Sequence, residues 1–496
     1  METTVDLTIQ KIRDGLSPRA NWFPPATTGY SAISRSYFWS SSRKDPLGIL
    51  QPATVEDVAA ILLNLAGAPD ELTFAIKAGG HIAPTGFNAT AGLLIDMSLF
   101  HNIHYDATTQ LVEIGPGALY EAVYIYLAKH GRTVNGATSC PGVGVAGFNL
   151  GGGYGNKSNQ YGLAMDTIQA IEVVLPTGQI KKVSAQQDPE IFRALKGGGN
   201  NFGIVTRWFM TTYEEKGFYF KSLNFEREHF KEVQKAIWSY IQKQDPKSNV
   251  ETKFEWTTTT AGQTEPYAFS HTELFYDGKT PPAGLFAEFL DIDQIKERKQ
   301  KSTWHGMMKH LPTRRQTYAG ELANNLNDLP ENFRGRYTHV MLSRYTQELI
   351  AYAVDRVEEV GNKLEENGGL QLYPDIWPGY PKMFENSPPS AWPRPPNKQP
   401  SFPLPIRCLW KGSQNDAFWL ETLERLTNDI RTFAVQQGCT TKDAPAYYNL
   451  SLDGTNVEDI YRENLGPLSK LRGELDPHGV MDRTGGFRIP PIWVQK

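Results

Sequence analysis

An α+β layered fold is what this 496-residue sequence predicts, on three observations. Helical and strand-like periodicities alternate between residues 50 and 206. Three glycine-rich segments, 78–81 (AGGH), 142–155 (GVGVAGFNLGGGYG) and 197–206 (GGGNNFGIVT), fall at the ends of those elements. From about residue 207 the pattern changes to strand-like runs with aromatic residues at alternating positions, which predicts a separate sheet with helices on one face.

Taken in order, residues 50–65 read as an extended entry and then a helix capped by Thr54, with Glu56 and Asp57 in the first turn. Phe74–Lys77, 92–99 and 111–118 read as strands, and 119–131 as a helix ended by Gly131. Residues 133–155 carry too many glycines for either element to claim them all. The alternating stretch 167–184 reads as a hairpin around Pro176-Thr177-Gly178, followed by a helix at 188–199 and a strand at 202–210. Further on, 218–230, 251–260 and 267–278 read as strands, and 228–243 and 344–366 as amphipathic helices. The tract 387–405 (SPPSAWPRPPNKQPSFPLP) reads as a long surface loop, because prolines lack the amide donor that a central strand needs. A strand at 406–412, a helix at 415–438 and an apolar strand at 444–452 close the chain back onto its first unit.

The totals narrow the function. A chain this long forms two domains or one elaborated domain, large enough to bury a cofactor-sized ligand. With 40% hydrophobic and 21% charged residues and a net charge of −4, there is no electrostatic case for nucleic acid, and the run Lys296–Lys301 reads as a solvated helix face. No stretch is apolar enough for a signal peptide or a membrane span, which predicts a cytoplasmic protein with no membrane partner. Three cysteines, Cys140, Cys408 and Cys439, exclude a disulfide framework, and the last two read as small buried hydrophobes. The glycosylation sequons at Asn88, Asn156 and Asn449 would matter only in a secreted chain. No metal site is assigned.

Glycine-rich backbone can turn its amides toward phosphate oxygens and hold a pyrophosphate without a lysine. There is no GxxxxGK[ST], and the first glycine segment is not followed by GxGxxG with a downstream acid, so a nicotinamide site of the doubly wound kind is disfavoured. Ala78-Gly79-Gly80-His81, the block Cys140–Gly147 with Gly151–Gly155, the segment Leu195–Thr206, and the C-terminal Tyr447-Tyr448-Asn449 and Leu475–Val480 together resemble the berberine bridge enzyme-like flavin oxidases. The likeness is strong over about 35–210 and 445–490 and extends to the middle only in layout.

That resemblance implies a PCMH-type FAD-binding domain formed by residues 1–206 and a C-terminal segment, 441–496, with an inserted substrate domain at 207–440 built as an antiparallel sheet flanked by helices. It implies FAD held by Ala78, Gly79, Gly80, His81, Ile82, Val143, Gly144, Gly147, Gly153, Tyr154, Gly155, Ile204, Val205, Tyr447 and Asn449. His81 stands where the family bonds covalently to the flavin, and Cys140 where some members form a second bond. Without the resemblance, His81 reads as a turn histidine and Cys140 as a small residue in a glycine-rich turn. Gly142 and Ala146 replace the family's usual threonine and glycine.

The implied reaction passes a hydride from a small organic substrate to flavin N5 while a base takes a proton, and O2 then regenerates the flavin with release of H2O2. Gly144 is compatible with oxygen access. Family members carry Tyr or His after the asparagine of the closing strand, whereas this chain has Leu450, which cannot take a proton. Tyr447 is therefore the candidate catalytic group, as base or positioner. On a strand it shares a face with Asn449, while Tyr448 and Leu450 point away. His271, His305, His310 and Trp410 are further candidates to line the pocket, and the aromatic strands at 251–276 suggest an apolar or aromatic substrate. Loss of the base at 450 also motivates an alternative in which the same pocket performs a non-redox cyclisation, dehydration or rearrangement. Monomer and homodimer are equally compatible with the sequence.

Overall fold

The computed structural model describes residues 3–137, 142–258, 267–295, 333–395 and 399–493. Cys140, the charged run 296–301, His305 and His310 lie outside them.

Among the described residues the strands form four sheets. The first joins β1 (Asn21–Phe23), β2 (Gly48–Gln51), β3 (Phe74–Lys77) and β4 (Leu93–Asp96) in the order β1-β2-β4-β3, with β2 and β3 parallel to β4. The helix Val55–Ala66 connects β2 to β3. Its N-cap Thr54 makes a full capping box with Asp57, as the sequence signature requires. The second sheet takes β5 (Ile103–Asp106), β6 (Leu111–Ile114), β8 (Ile168–Val174), β9 (Ile180–Ser184) and β10 (Ile204–Thr211) in the order β5-β6-β10-β8-β9, and β7 (Arg132–Thr133) pairs with β11 (Tyr213–Glu214). The hairpin β8–β9 turns at Gly178, whose φ of 80° suits glycine.

The fourth sheet is built from β12 (Tyr219–Glu226), β13 (Ser248–Thr257), β14 (Tyr267–Tyr276), β15 (Phe333–Leu342), β16 (Gly369–Ile376) and β17 (Phe402–Lys411), all antiparallel, in the order β12-β14-β13-β16-β17-β15. Side chains alternate across it. Phe254 and Trp256 face the helices Phe230–Lys243 and Gln347–Gly361. The ring of Phe230 meets Phe254 at 5.0 Å and Trp256 at 5.7 Å, and any Cβ on Gly361 would strike Trp256 at 2.4 Å. Glu251, Lys253 and Glu255 occupy the opposite face of the same strand, where the two glutamates are buried and Lys253 is partly buried. The aromatic alternation at 251–257 thus records packing against helices, and it says nothing about the substrate.

Two local expectations are corrected. The tract 387–405 is partly interior: Ser390, Ala391 and Trp392 are buried, and Pro403 and Pro405 sit inside β17, paired across to Met341 and His339 of β15. The strand tolerates them because β16 pairs with β17 only from Ile406 onward, so the missing amides fall where the ladder is one-sided. The apolar stretch 444–452 is no strand; Tyr448–Leu450 form a 3-10 turn. Beyond it, residues 441–493 return to the N-terminal half: Thr484 bridges to Phe74, Asn201 accepts a hydrogen bond from the Ile489 amide (3.0 Å), and Arg483 donates to the Ala68 carbonyl (3.2 Å) at the end of the helix after β2. Among the described residues no helix is long and apolar enough to cross a membrane.

Candidate active site

A cavity of about 1590 Å³, its open mouth included, lies between the glycine-rich segments and the charged face of the six-stranded sheet. One wall is Ala78–Ala83, Val143, Gly144, Ala146, Gly147 and the turn Tyr447–Leu450; the facing wall is Glu251, Lys253, Tyr337, Tyr373, Asp375 and Pro405.

The first wall depends on missing side chains. A Cβ on Gly79 would stand 2.5 Å from the Cα of Gly144, and one on Gly144 would stand 2.6 Å from the Cα of Gly79, so the two segments pack backbone against backbone. Gly80, at φ 71°, makes the turn that presents His81. The loop is then tied down from several directions. Phe38 donates its amide to the Gly80 carbonyl (2.9 Å), the Trp39 indole N–H donates to the His81 carbonyl (2.9 Å), and the Phe38 ring stacks on the imidazole at 4.4 Å. From the sheet, Arg336 reaches Thr85 Oγ1 (2.6 Å) and forks onto Asp453 (2.5 and 3.1 Å), which accepts the Thr85 amide (2.7 Å).

The closing turn is seated with the same closeness. Asn449 lies on Gly151, where a Cβ would meet its Oδ1 at 2.0 Å, and donates to the Phe148 carbonyl (3.1 Å). The Tyr447 hydroxyl accepts from the Gly153 amide (2.9 Å) and from Asn449 (3.1 Å). Burial pushes its pKa up to about 12, with those hydrogen bonds opposing. It is therefore a neutral phenol at physiological pH, with both acceptor lone pairs engaged. His339 of β15 holds the turn from the sheet side: Nε2 accepts the Tyr447 amide (2.7 Å) and Nδ1 meets the Leu450 carbonyl at 3.2 Å. Accepting an amide leaves Nε2 bare and assigns the proton to Nδ1. Burial lowers the His339 pKa to about 4, so the ring stays neutral.

Tyr447 and Asn449 lie together on the cavity wall, in a turn rather than on a strand face. For the same reason Tyr448 and Leu450 also line the cavity instead of turning away. Gly153 and Gly155 stand behind the wall, Gly155 donating to Ser158 Oγ (2.9 Å). Ile204 and Val205 are buried in β10, off the cavity. Trp410 is buried with its indole N–H on Asp416 (2.8 Å), also away from the cavity. His271 lies on the charged face but behind the lining, with Nδ1 on Asn224 (2.8 Å) and Nε2 near Glu273 (3.4 Å). The sequon asparagines Asn88 and Asn156 are buried, which leaves no room for a glycan.

The second wall was not singled out from the sequence. Lys253 pairs in register with His271 on one side and Asp375 on the other, and forms a 2.9 Å ion pair with Glu251. Burial opposes the lysine charge, but Glu251, Asp375 and Glu273 around it hold its pKa well above the ordinary value. Burial raises Asp375 far above the usual carboxylate range, and Glu251, which shares a hydrogen bond with it, raises it further. Two carboxyls can share a hydrogen bond only when a proton lies between them, so one proton sits between Asp375 and Glu251. Oδ1 of Asp375 is buried and accepts no hydrogen bond from an amide or a donor side chain. The signal in the sequence was the polar alternation Glu251-x-Lys253-x-Glu255 opposite Phe254 and Trp256, which marks a sheet buried on both faces.

This fold and site define a flavoprotein of the FAD-linked oxidoreductase class. Residues 46–184 match the family described as FAD binding domain. Over nearly its whole length the chain superposes on solved structures. A BBE-like 1 protein of Physcomitrella patens gives a TM-score of 0.75 at 19% identity, covering 98% of this chain and all of that one. The xylooligosaccharide oxidase of Myceliophthora thermophila C1 gives 0.75 at 20%, with the same coverage. Among curated sequences, the FAD-dependent monooxygenase sdcF of Emericella nidulans is 26% identical over 94% of this chain and 95% of its own length. The chain therefore has the berberine bridge enzyme-like, PCMH-type flavoprotein fold that its motifs resemble, and it is an FAD-linked oxidoreductase.

Proposed function

We propose that the chain oxidises a small organic molecule bearing a C–H bond next to an O–H or N–H, with residues 1–206 and 441–496 holding FAD and 207–440 supplying the substrate wall. The observation that carries this reading is the pairing of a glycine wall that ends in His81 with a buried carboxyl pair, Glu251 and Asp375, across one cavity. The residues present fit FAD. Gly147 faces open space, the cradle of Ala78–Ile82 offers backbone, and Asn88 Oδ1 is a buried acceptor without a partner on the cavity wall. We assign His81 as the covalent tether and Cys140 as a second attachment point; Ala137 and Val143, on either side of Cys140 in sequence, line the cavity.

When bound, FAD supplies the acceptor for the two electrons that leave the substrate. The Glu251–Asp375 pair, holding one proton, keeps one negative charge with which to take the substrate's O–H or N–H proton, and the raised affinity of Asp375 for protons favours that transfer. Lys253 balances the remaining charge. The Tyr447 phenol, already accepting two hydrogen bonds, has its own O–H to donate to a substrate oxygen. Walls of Phe87, Phe148, Leu150 and Trp377 suit a partly apolar body. The names of the fungal relatives favour a tailoring step in secondary metabolism.

The carboxyl pair supplies the proton acceptor that Leu450 cannot, which removes the motive for a non-redox reaction. The test is a visible spectrum of native and acid-precipitated protein with intact mass. A yellow precipitate heavier by one FAD is expected, and His81→Ala and Cys140→Ala assign each bond. Colourless protein sinks the reading. Anaerobic mixing with alcohols and amines should bleach the flavin, and air should restore it with one H2O2 per turnover; turnover without bleaching would restore the non-redox alternative.

A further inference from the structure

Beside the main cavity lies a second, smaller pocket of about 450 Å³ with its open mouth included, whose lining contains the polar side chains of Asn156, Ser158, Asn159 and Asn249. Tyr154, Glu251 and Trp377 line both. Polar and apolar groups share the second pocket's lining, and the roughly 40 Å³ open to water-sized molecules exceeds the about 10–15 Å³ that one water needs, so it can hold water. Its walls are ordered: Asn249 donates to Asn156 (3.1 Å), and Asn159 donates to the Ser248 carbonyl (2.8 Å) and accepts from the Tyr380 amide (2.8 Å).

A proton delivered to Asp375 is otherwise trapped. The carboxyl is 3% exposed, Lys253 already carries its full complement of protons, and a substrate would fill the only cavity that Asp375 lines among those described. Glu251 is the group that touches Asp375 on one side and the second pocket on the other.

We propose that Glu251 is a proton relay, passing the proton taken by Asp375 to water in the second pocket, which serves as its exit. The inference rests on the proton-acceptor reading above. The steps balance. An O–H bond forms on Asp375 as the substrate's O–H or N–H bond breaks. The shared proton then lies on Glu251, which releases it to water in the second pocket, and the new proton takes its place between the two carboxyls, returning the pair to one shared proton, while both electrons leave the substrate with its C–H hydrogen.

The test follows deuterium exchange of the buried carboxylic acid by infrared spectroscopy in the flavin-loaded protein after mixing with D2O, with the band identified by its loss in Asp375→Asn. Asn249→Phe, which fills the second pocket, should slow exchange at least tenfold, and Glu251→Gln should do the same. Ser158→Leu fills the pocket from a different segment and serves if Asn249→Phe does not fold, as judged by flavin content and melting. Exchange at the wild-type rate in the filled variants overturns the relay and leaves the acceptor role standing. A carboxylic acid band that survives Asp375→Asn overturns both. A crystal structure of the holoenzyme with ordered water joining Glu251 to solvent through this pocket supports the relay, and a dry pocket overturns it.

Discussion

The two walls of the cavity reach the same end by opposite means. The glycine wall is made by removing side chains, so that Gly79 and Gly144 touch through their Cα atoms and the closing turn rests on Gly151. The sheet wall is made by burying the carboxyls of Glu251, Asp375 and Glu273 around a partly buried Lys253, with each depending on its neighbours to stay there. The first is a matter of shape, and a methyl group breaks it. The second is a matter of charge balance, and a nearly isosteric change breaks it.

The largest effect on this comparison is expected from Asp375→Asn. It preserves shape and should keep flavin binding and melting temperature near wild type, while lowering the rate of anaerobic flavin bleaching by about 10²–10⁴-fold, the usual range for a lost general base. Equal loss of flavin content would show that the wall's role is structural. Lys253→Met should come next, costing about 3–5 kcal/mol of stability at neutral pH in denaturant titration, because it leaves buried carboxyls without their counter-charge. Lowering the pH should recover part of that loss, as the carboxyls take up protons.

His339 joins the two walls, and its behaviour with pH tests the join. With a folded pKa of about 4 against an ordinary 6.5, the unfolded chain binds a proton between those values that the folded chain refuses. Stability should therefore be fully present above about pH 6.5 and fall as the pH drops toward 4, by up to ~3 kcal/mol from this group. His339→Gln should flatten that window in pH-dependent melting; an unchanged slope would refute the assignment. The smallest effect is expected from Gly79→Ala, at about 1–3 kcal/mol for an overpacked contact. It should lower flavin retention more than Lys253→Met does, and the reverse order would mean that the glycine wall has slack.

The glycine wall was legible in the sequence because its residues are consecutive and their type is unusual. Ala78–Ile82, Val143, Gly144, Gly147, Tyr154, Tyr447 and Asn449 could be named beforehand, and all line the cavity. The sheet wall was illegible because Glu251, Tyr337, Asp375 and Pro405 come from four strands spread over more than 150 residues, and each alone looks like an ordinary strand residue. His339 was invisible for the same reason. Its role exists only where β15 passes under a turn more than 100 residues later in the chain.

What this sequence determines by itself is local: the capped helix after Thr54, the glycine turns, the alternation of each strand and the order of the segments that cradle FAD. Those follow from backbone sterics and periodicity within a few residues. Only the tertiary structure decides which face of β13 meets the helices and which meets the cavity, that Pro403 and Pro405 survive in a strand beside a shortened neighbour, and that a lone aspartate becomes a proton acceptor. Strand pairing and burial set those outcomes, and both are properties of residues far apart in the chain.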